Sequence, residues 1–184
     1  MVQRLFHPSN EERRSGQIQL WKGVLVGIYI APDAGKQTVS LAEARAVIGR
    51  GLEGDRYYHE RGFYSKRPGR PHSPLTLIET EAIEALQRDN GITLKVGDAR
   101  RNLVTRGVPL NHLVGKEFFV GDVLIQGTKL CEPCVHLEEL TQKGVLGGLV
   151  HRGGIDARIL TDGVLRVGDT IRPNTDGEQS RDVT

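Results

Sequence analysis

Short apolar runs of β-prone residues, each closed by turn formers, recur along most of this chain. Residues 23–30 (Gly-Val-Leu-Val-Gly-Ile-Tyr-Ile) are rich in β-branched and aromatic side chains and stop at Ala31-Pro32-Asp33-Ala34-Gly35. That pattern predicts a buried strand followed by a turn. Residues 75–78 predict a second short strand. Residues 79–89 then place Ala82, Ile83, Ala85 and Leu86 at helical spacing before an Asn90-Gly91 stop, which predicts a helix. Phe118-Phe119-Val120-Gly121-Asp122-Val123-Leu124-Ile125 and Val164-Leu165-Arg166-Val167-Gly168-Asp169-Thr170-Ile171 each set Gly-Asp between apolar runs, so each predicts a tight turn that joins or kinks strands. Residues 135–150 alternate at a helical period broken by Gly144 and Gly147-Gly148, which predicts two short helices.

Residues 48–74 hold glycines, basic residues and tyrosines without periodicity and read as a long functional or mobile loop. The first twenty residues are polar and read as a leader or surface helix, and residues 174–184 as a disordered tail. Between them, residues 21–173 form the expected domain. Many short strands with few helices predict a mostly β or α+β fold, β-barrel-like in architecture.

Composition narrows the setting. With 184 residues, 38% hydrophobic and 26% charged, the chain suits one domain with a proper core. Two cysteines are too few for a secreted disulfide scaffold, and no signal segment is visible, so a cytoplasmic setting is expected. No apolar run approaches the roughly 20 residues that span a bilayer. A formal charge of +2 gives no reason to expect a nucleic-acid partner, while permitting local anion pockets.

Both cysteines fall in Leu130-Cys131-Glu132-Pro133-Cys134-Val135-His136. A structural zinc site, a thioredoxin-like dithiol, two buried apolar fillers and one working thiolate are all readings of this segment. The best-placed thiol is Cys134, since Pro133 fixes the backbone before it and a helix begins after it; Cys131 is a resolving or packing thiol. Two further segments bear charge. Arg100-Arg101-Asn102-Leu103-Val104-Thr105-Arg106-Gly107 offers guanidinium, amide and hydroxyl donors to a small anion, or is a solvated strand edge. Gly51-Leu52-Glu53-Gly54-Asp55-Arg56 lets backbone approach a ligand beside an Asp-Arg pair, or is a structural turn. His151-Arg152-Gly153-Gly154 adds one more anion contact through Arg152. No dinucleotide fingerprint or Walker loop is present.

Taken in chain order, Gly51-Leu52-Glu53-Gly54-Asp55-Arg56, Arg101-Asn102-Leu103, residues 115–122, Pro133-Cys134, His151-Arg152-Gly153-Gly154 and Val167-Gly168-Asp169 resemble the MOSC domain, the C-terminal domain of molybdenum-cofactor sulfurases. The resemblance covers about residues 22–173. It implies a β-barrel-based domain that binds a molybdopterin-type molybdenum cofactor or handles its sulfur. Cys134 would be the sulfur carrier, as a persulfide, or the thiolate ligand of molybdenum. Arg101 and Asn102 would lie near the pterin phosphate, with Asp55, Arg56, Thr105 and Arg152 as further cofactor contacts. The implied partners are the anionic pterin and a sulfur-donor or electron-transfer protein. The chain carries no pyridoxal-phosphate lysine domain, and whether it is itself an enzyme stays open between a sulfurtransferase and a small molybdenum-dependent reductase of N-hydroxylated compounds. A non-catalytic domain that binds another small anion is the remaining reading.

Overall fold

The computed structural model describes residues 21–62, 65 and 74–175. The leader, most of the residues 174–184 tail and much of the segment before Pro74 lie outside them. The architecture is mostly β. The strands are β1 (Gly23–Ile30), β2 (Val39–Leu41), β3 (Glu43–Val47), β4 (Gly51–Leu52), β5 (Leu75–Glu79), β6 (Leu103–Arg106), β7 (Glu117–Val120), β8 (Val123–Leu130), β9 (Ile155–Ile159), β10 (Gly163–Arg166) and β11 (Thr170–Pro173). Among the described residues three α-helices interrupt them, α1 (Thr80–Asn90), α2 (Val135–Leu140) and α3 (Val145–Gly148), with short 3-10 turns at Val96–Ala99 and Leu110–Leu113.

Seven strands close into a barrel in the order β11-β7-β8-β9-β5-β6-β1, with β1 returning to pair with β11. Closure removes the free edges that an open sheet of this length would expose. All neighbours are antiparallel except β5 and β6, which run parallel. Parallel neighbours need a crossover, and α1 supplies it. The helix ends where the sequence implies: Gly91 takes the left-handed conformation (φ 68°) and its N–H bonds the Gln87 carbonyl at 3.0 Å, a conformation that glycine adopts without penalty.

Burial follows from this layout. Leu25, Ile28, Leu75, Leu77, Leu103, Phe118, Ile125, Ile155 and Ile171 fill the barrel interior. Leu25 and Ile28 are three apart, yet both point inward, because a bulge between Leu25 and Gly27 shifts the register against β6. A second apolar cluster packs outside the wall, where Ile78 and Val104 meet Ala82, Ile83 and Leu86 of α1, Leu137 of α2, Val145 of α3 and Leu149. The parallel strands are therefore buried on both faces, as parallel strands generally are.

Two expectations are refined. β6 lies between β5 and β1, so the arginine-bearing segment leads into a central strand and not a solvated edge. The two Gly-Asp turns also differ. The first joins β7 and β8 as a hairpin. The second sends the chain from β10, which pairs with β3 in a small β10-β3-β4 sheet, to β11 in the barrel.

Candidate functional site

The thiol loop leaves β8 and enters α2. Its first half is pinned to the start of β9: Cys131 N–H donates to the Gly154 carbonyl at 2.8 Å. The glycine pair makes this approach possible. A Cβ on Gly153 would lie 2.5 Å from the Cys131 carbonyl oxygen, and one on Gly154, whose φ is +93°, would lie 1.8 Å from the Leu77 carbonyl oxygen. The Gly153-Gly154 motif is thus explained by backbone packing around the loop. Outside, Glu132 accepts from His151 N–H at 2.9 Å and faces its Nδ1 at 3.1 Å. The His151 N–H is the leading cause that holds the Glu132 carboxyl below its usual range.

The two thiols have different surroundings. Burial, with a contribution from a hydrogen bond to Asp156, pushes the Cys131 thiol up to about 12, while Arg101 and Lys129 oppose the rise. Cys131 is therefore held as a protonated thiol at neutral pH. Asp156 is itself buried and pairs with Lys129 at 3.3 Å. Cys134 precedes the first helical residue of α2 and, like Tyr29, Ile92 and Val96, packs against the outer apolar cluster. His136 lies 3.8 Å from Glu139 on the same helix. Among the described residues no group of three His, Cys, Asp or Glu side chains converges to hold a metal ion, so the four-ligand zinc reading finds no ligand set there.

The segment before β6 divides the work among its residues. Arg101 is only 8% exposed. Its Nε donates to the Gly153 carbonyl at 2.9 Å, its Nη2 to the Cys131 carbonyl at 2.9 Å and its Nη1 to the Ala99 carbonyl at 3.2 Å. Asn102 is equally enclosed. Its Oδ1 accepts from Thr76 N and Oγ1, and its Nδ2 donates to the Tyr29 carbonyl and to Asp55 Oδ2. Asp55, fully buried, also accepts from Ala31 N at 3.0 Å, Tyr57 N at 3.0 Å and Arg56 Nη1 at 3.4 Å. A buried carboxylate needs such donors, and here they lock the Gly51–Arg56 turn onto the ends of β1 and β6.

The remaining sequence candidates separate. Thr105 is buried in the barrel wall with its hydroxyl on the Ile78 carbonyl at 3.4 Å. Arg152 ties α3 to α1, donating to the Gly148 carbonyl at 2.7 Å and to Asp89 at 2.9 Å. Arg56 rests its guanidinium 4.7 Å from the Tyr57 ring centroid. Arg100, which takes a left-handed backbone (φ 57°), reaches the Lys36 carbonyl at 2.7 Å. Burial first and the Arg56 charge second pull the Arg100 guanidinium below its ordinary range. Two guanidiniums that feel each other, beside an aspartate already engaged by four donors, form a donor set that suits an anionic group such as a phosphate. Cys131 is the thiol whose charge reaches Tyr57, the ring that Arg56 covers, while Cys134, three residues on, offers the second soft donor of the same loop. Sequence reasoning did not single out Asp156, which stands in no motif and reaches the loop only through the fold, or Glu132, which lies in the loop but whose partner His151 is 19 residues away.

Among functionally curated proteins none matches this chain. Solved structures share its fold: the YUAD protein from Bacillus subtilis (TM-score 0.69, 16% identity, 85% of this chain and 100% of that one), YiiM from Geobacillus stearothermophilus (0.63, 15%, 84% and 76%) and YiiM from Escherichia coli (0.57, 17%, 85% and 70%). The family model for the MOSC domain matches residues 65–172, a span that runs from just before β5 into β11 and takes in the thiol loop, and the chain belongs to the MOSC domain family.

Proposed function

We propose that this MOSC domain binds a molybdopterin-type molybdenum cofactor, or carries sulfur destined for it, with Cys134 as the working thiol. The observation that carries the reading is the contrast within the thiol loop: Cys131 is held protonated against Asp156, and Cys134 stands at the entrance to α2. Arg56 and Arg100 would hold the anionic end of the pterin, and Asp55 and Asn102 would keep the loop that carries Arg56 in place. When bound, the cofactor supplies a molybdenum-sulfur centre. As a carrier, Cys134 thiolate attacks the outer sulfur of a donor protein's persulfide; the donor S–S bond breaks, a Cys134 S–S bond forms, and the donor leaves as thiolate. The exchange needs no external oxidant. No helix among the described residues is long and apolar enough to cross a membrane.

Purification without oxygen from molybdenum-replete cells, followed by metal analysis and intact-mass measurement of persulfide, tests the reading. Molybdenum near one per chain, or a 32-Da sulfur adduct on about a large fraction of Cys134, is expected, lost in Cys134→Ala and kept in Cys131→Ala. Bound molybdenum together with reductant-driven turnover of an N-hydroxylated base would assign the reductase role. Neither metal nor sulfane sulfur in the wild-type chain would overturn the proposal.

A further inference from the structure

Among the described residues of this region, the guanidinium of Arg101 is the one that is nine-tenths buried with backbone carbonyls as its hydrogen-bond partners. Its three carbonyl partners come from three separate segments: Ala99 just upstream, Cys131 in the thiol loop and Gly153 before β9. No described carboxylate forms an ion pair with it. A planar fork spreads its five N–H donors over three nitrogens and so reaches carbonyls of separate segments, whereas an ammonium gathers its three donors on one nitrogen. A lysine would bring the same charge as a single point. The loop has further anchors at Gly154 and His151, but these hold it from the side of β9 alone. Arg101 joins it to the segment that carries Arg100 and Asn102, and so to the turn that carries Arg56, because Asn102 Nδ2 contacts Asp55.

We infer that Arg101 is a positioning residue: its fork fixes the thiol loop relative to the Arg56 and Arg100 segments, and it does not serve as a ligand of the bound anion. The inference rests on Cys134 as the working thiol, yet its own observations are the three carbonyl contacts. Charge near the anion then falls to Arg56 and Arg100, and geometry to Arg101. A side chain in such a role acts through the residue it holds, and small displacements of a reacting group cost large factors in rate.

Two measurements test this. The first is side-chain NMR of the wild-type chain titrated with inorganic phosphate. The Arg101 Nε–H, bonded to the Gly153 carbonyl, is expected to keep its resonance while those of Arg56 and Arg100 move; a saturable shift of Arg101 would overturn the inference. The second is the pH profile of Cys134 alkylation in a Cys131→Ser background. Arg101→Lys, which keeps the charge and loses the fork, is expected to change the alkylation rate about tenfold, as Arg101→Met does. Wild-type rate and profile in Arg101→Lys would mean that charge alone matters. The phosphate titration needs neither the lysine variant to fold nor molybdenum or persulfide to be present, so loss of the cofactor reading and loss of this one give different results.

Discussion

Cys131 and Cys134 stand three residues apart and in different solvents. Cys131 sits among Asp156, Lys129 and Arg101, where burial outweighs the two cations and keeps the proton on sulfur. Cys134 faces an apolar layer built by α1, α2 and α3 on the outside of the barrel wall. The lesson is that a Cys-x-x-Cys spacing does not by itself define a dithiol. The backbone between the two residues is fixed by Arg101, Gly154 and Glu132, and that fixed backbone turns one thiol to a polar wall and the other to an apolar one.

The harshest way to break the contrast is Gly154→Ala. A Cβ there would stand 1.8 Å from the Leu77 carbonyl oxygen at a φ of +93°, and both neighbours are backbone in the barrel wall. We expect a loss of more than about 4 kcal/mol in chemical denaturation, with the Cys131 side of the loop released from β9. A near-wild-type midpoint would show that the wall yields.

The contrast can be sharpened chemically. With its thiol pushed up to about 12, Cys131 should react with iodoacetamide at pH 8 about a thousandfold more slowly than an ordinary cysteine. Peptide mapping should then find the early label on Cys134. Equal labelling of both residues would sink the assignment of roles.

Stability against pH gives a third measure. The Cys131 proton is held in the folded state above the 9.0 of the unperturbed thiol, so this contribution is fully present below pH 9. It is lost as pH rises from there toward 12, where the unfolded chain has already released its proton. Because the residue keeps intermediate exposure, the contribution amounts to roughly 2 kcal/mol after solvent screening. The gap in unfolding free energy between wild type and Cys131→Ala should therefore narrow across that window; a constant gap would show that the proton is not held.

Part of this picture is legible in the residues themselves. β1 is readable because its apolar run and its turn formers agree, and α1 because its buried positions fall at helical spacing and end on Gly91. β3 is not, since Glu-Ala-Arg-Ala-Val favours helix in isolation and becomes a strand only through pairing with β10 and β4. The second Gly-Asp turn looks like the first in sequence, yet its two strands find different sheets, a choice made by partners far along the chain. At the site, the cysteine loop, the Gly-Asp-Arg turn and the arginine pair could be located from motif and spacing. What Arg101 binds could not. An arginine beside asparagine and threonine has the donors for an anion, and only the fold brings the carbonyls of residues 131 and 153 within its reach.

The smallest effect tests whether the outer latch shares the work of the inner staple. Glu132 and His151 meet at the surface, with the glutamate side chain 42% and the histidine side chain 82% exposed. Solvent screens such a pair, so Glu132→Gln should cost under about 1 kcal/mol. Gln keeps an acceptor for the His151 N–H and loses only the charge. The depressed carboxyl adds stability above its ordinary range and loses it as pH falls, so the difference between wild type and variant should shrink below about pH 4. The labelling preference for Cys134 over Cys131 should persist, because Arg101 and Gly154 still hold the inner side of the loop. If Glu132→Gln instead opened Cys131 to alkylation at neutral pH, the surface latch, and not the buried guanidinium, would be what keeps the two thiols apart.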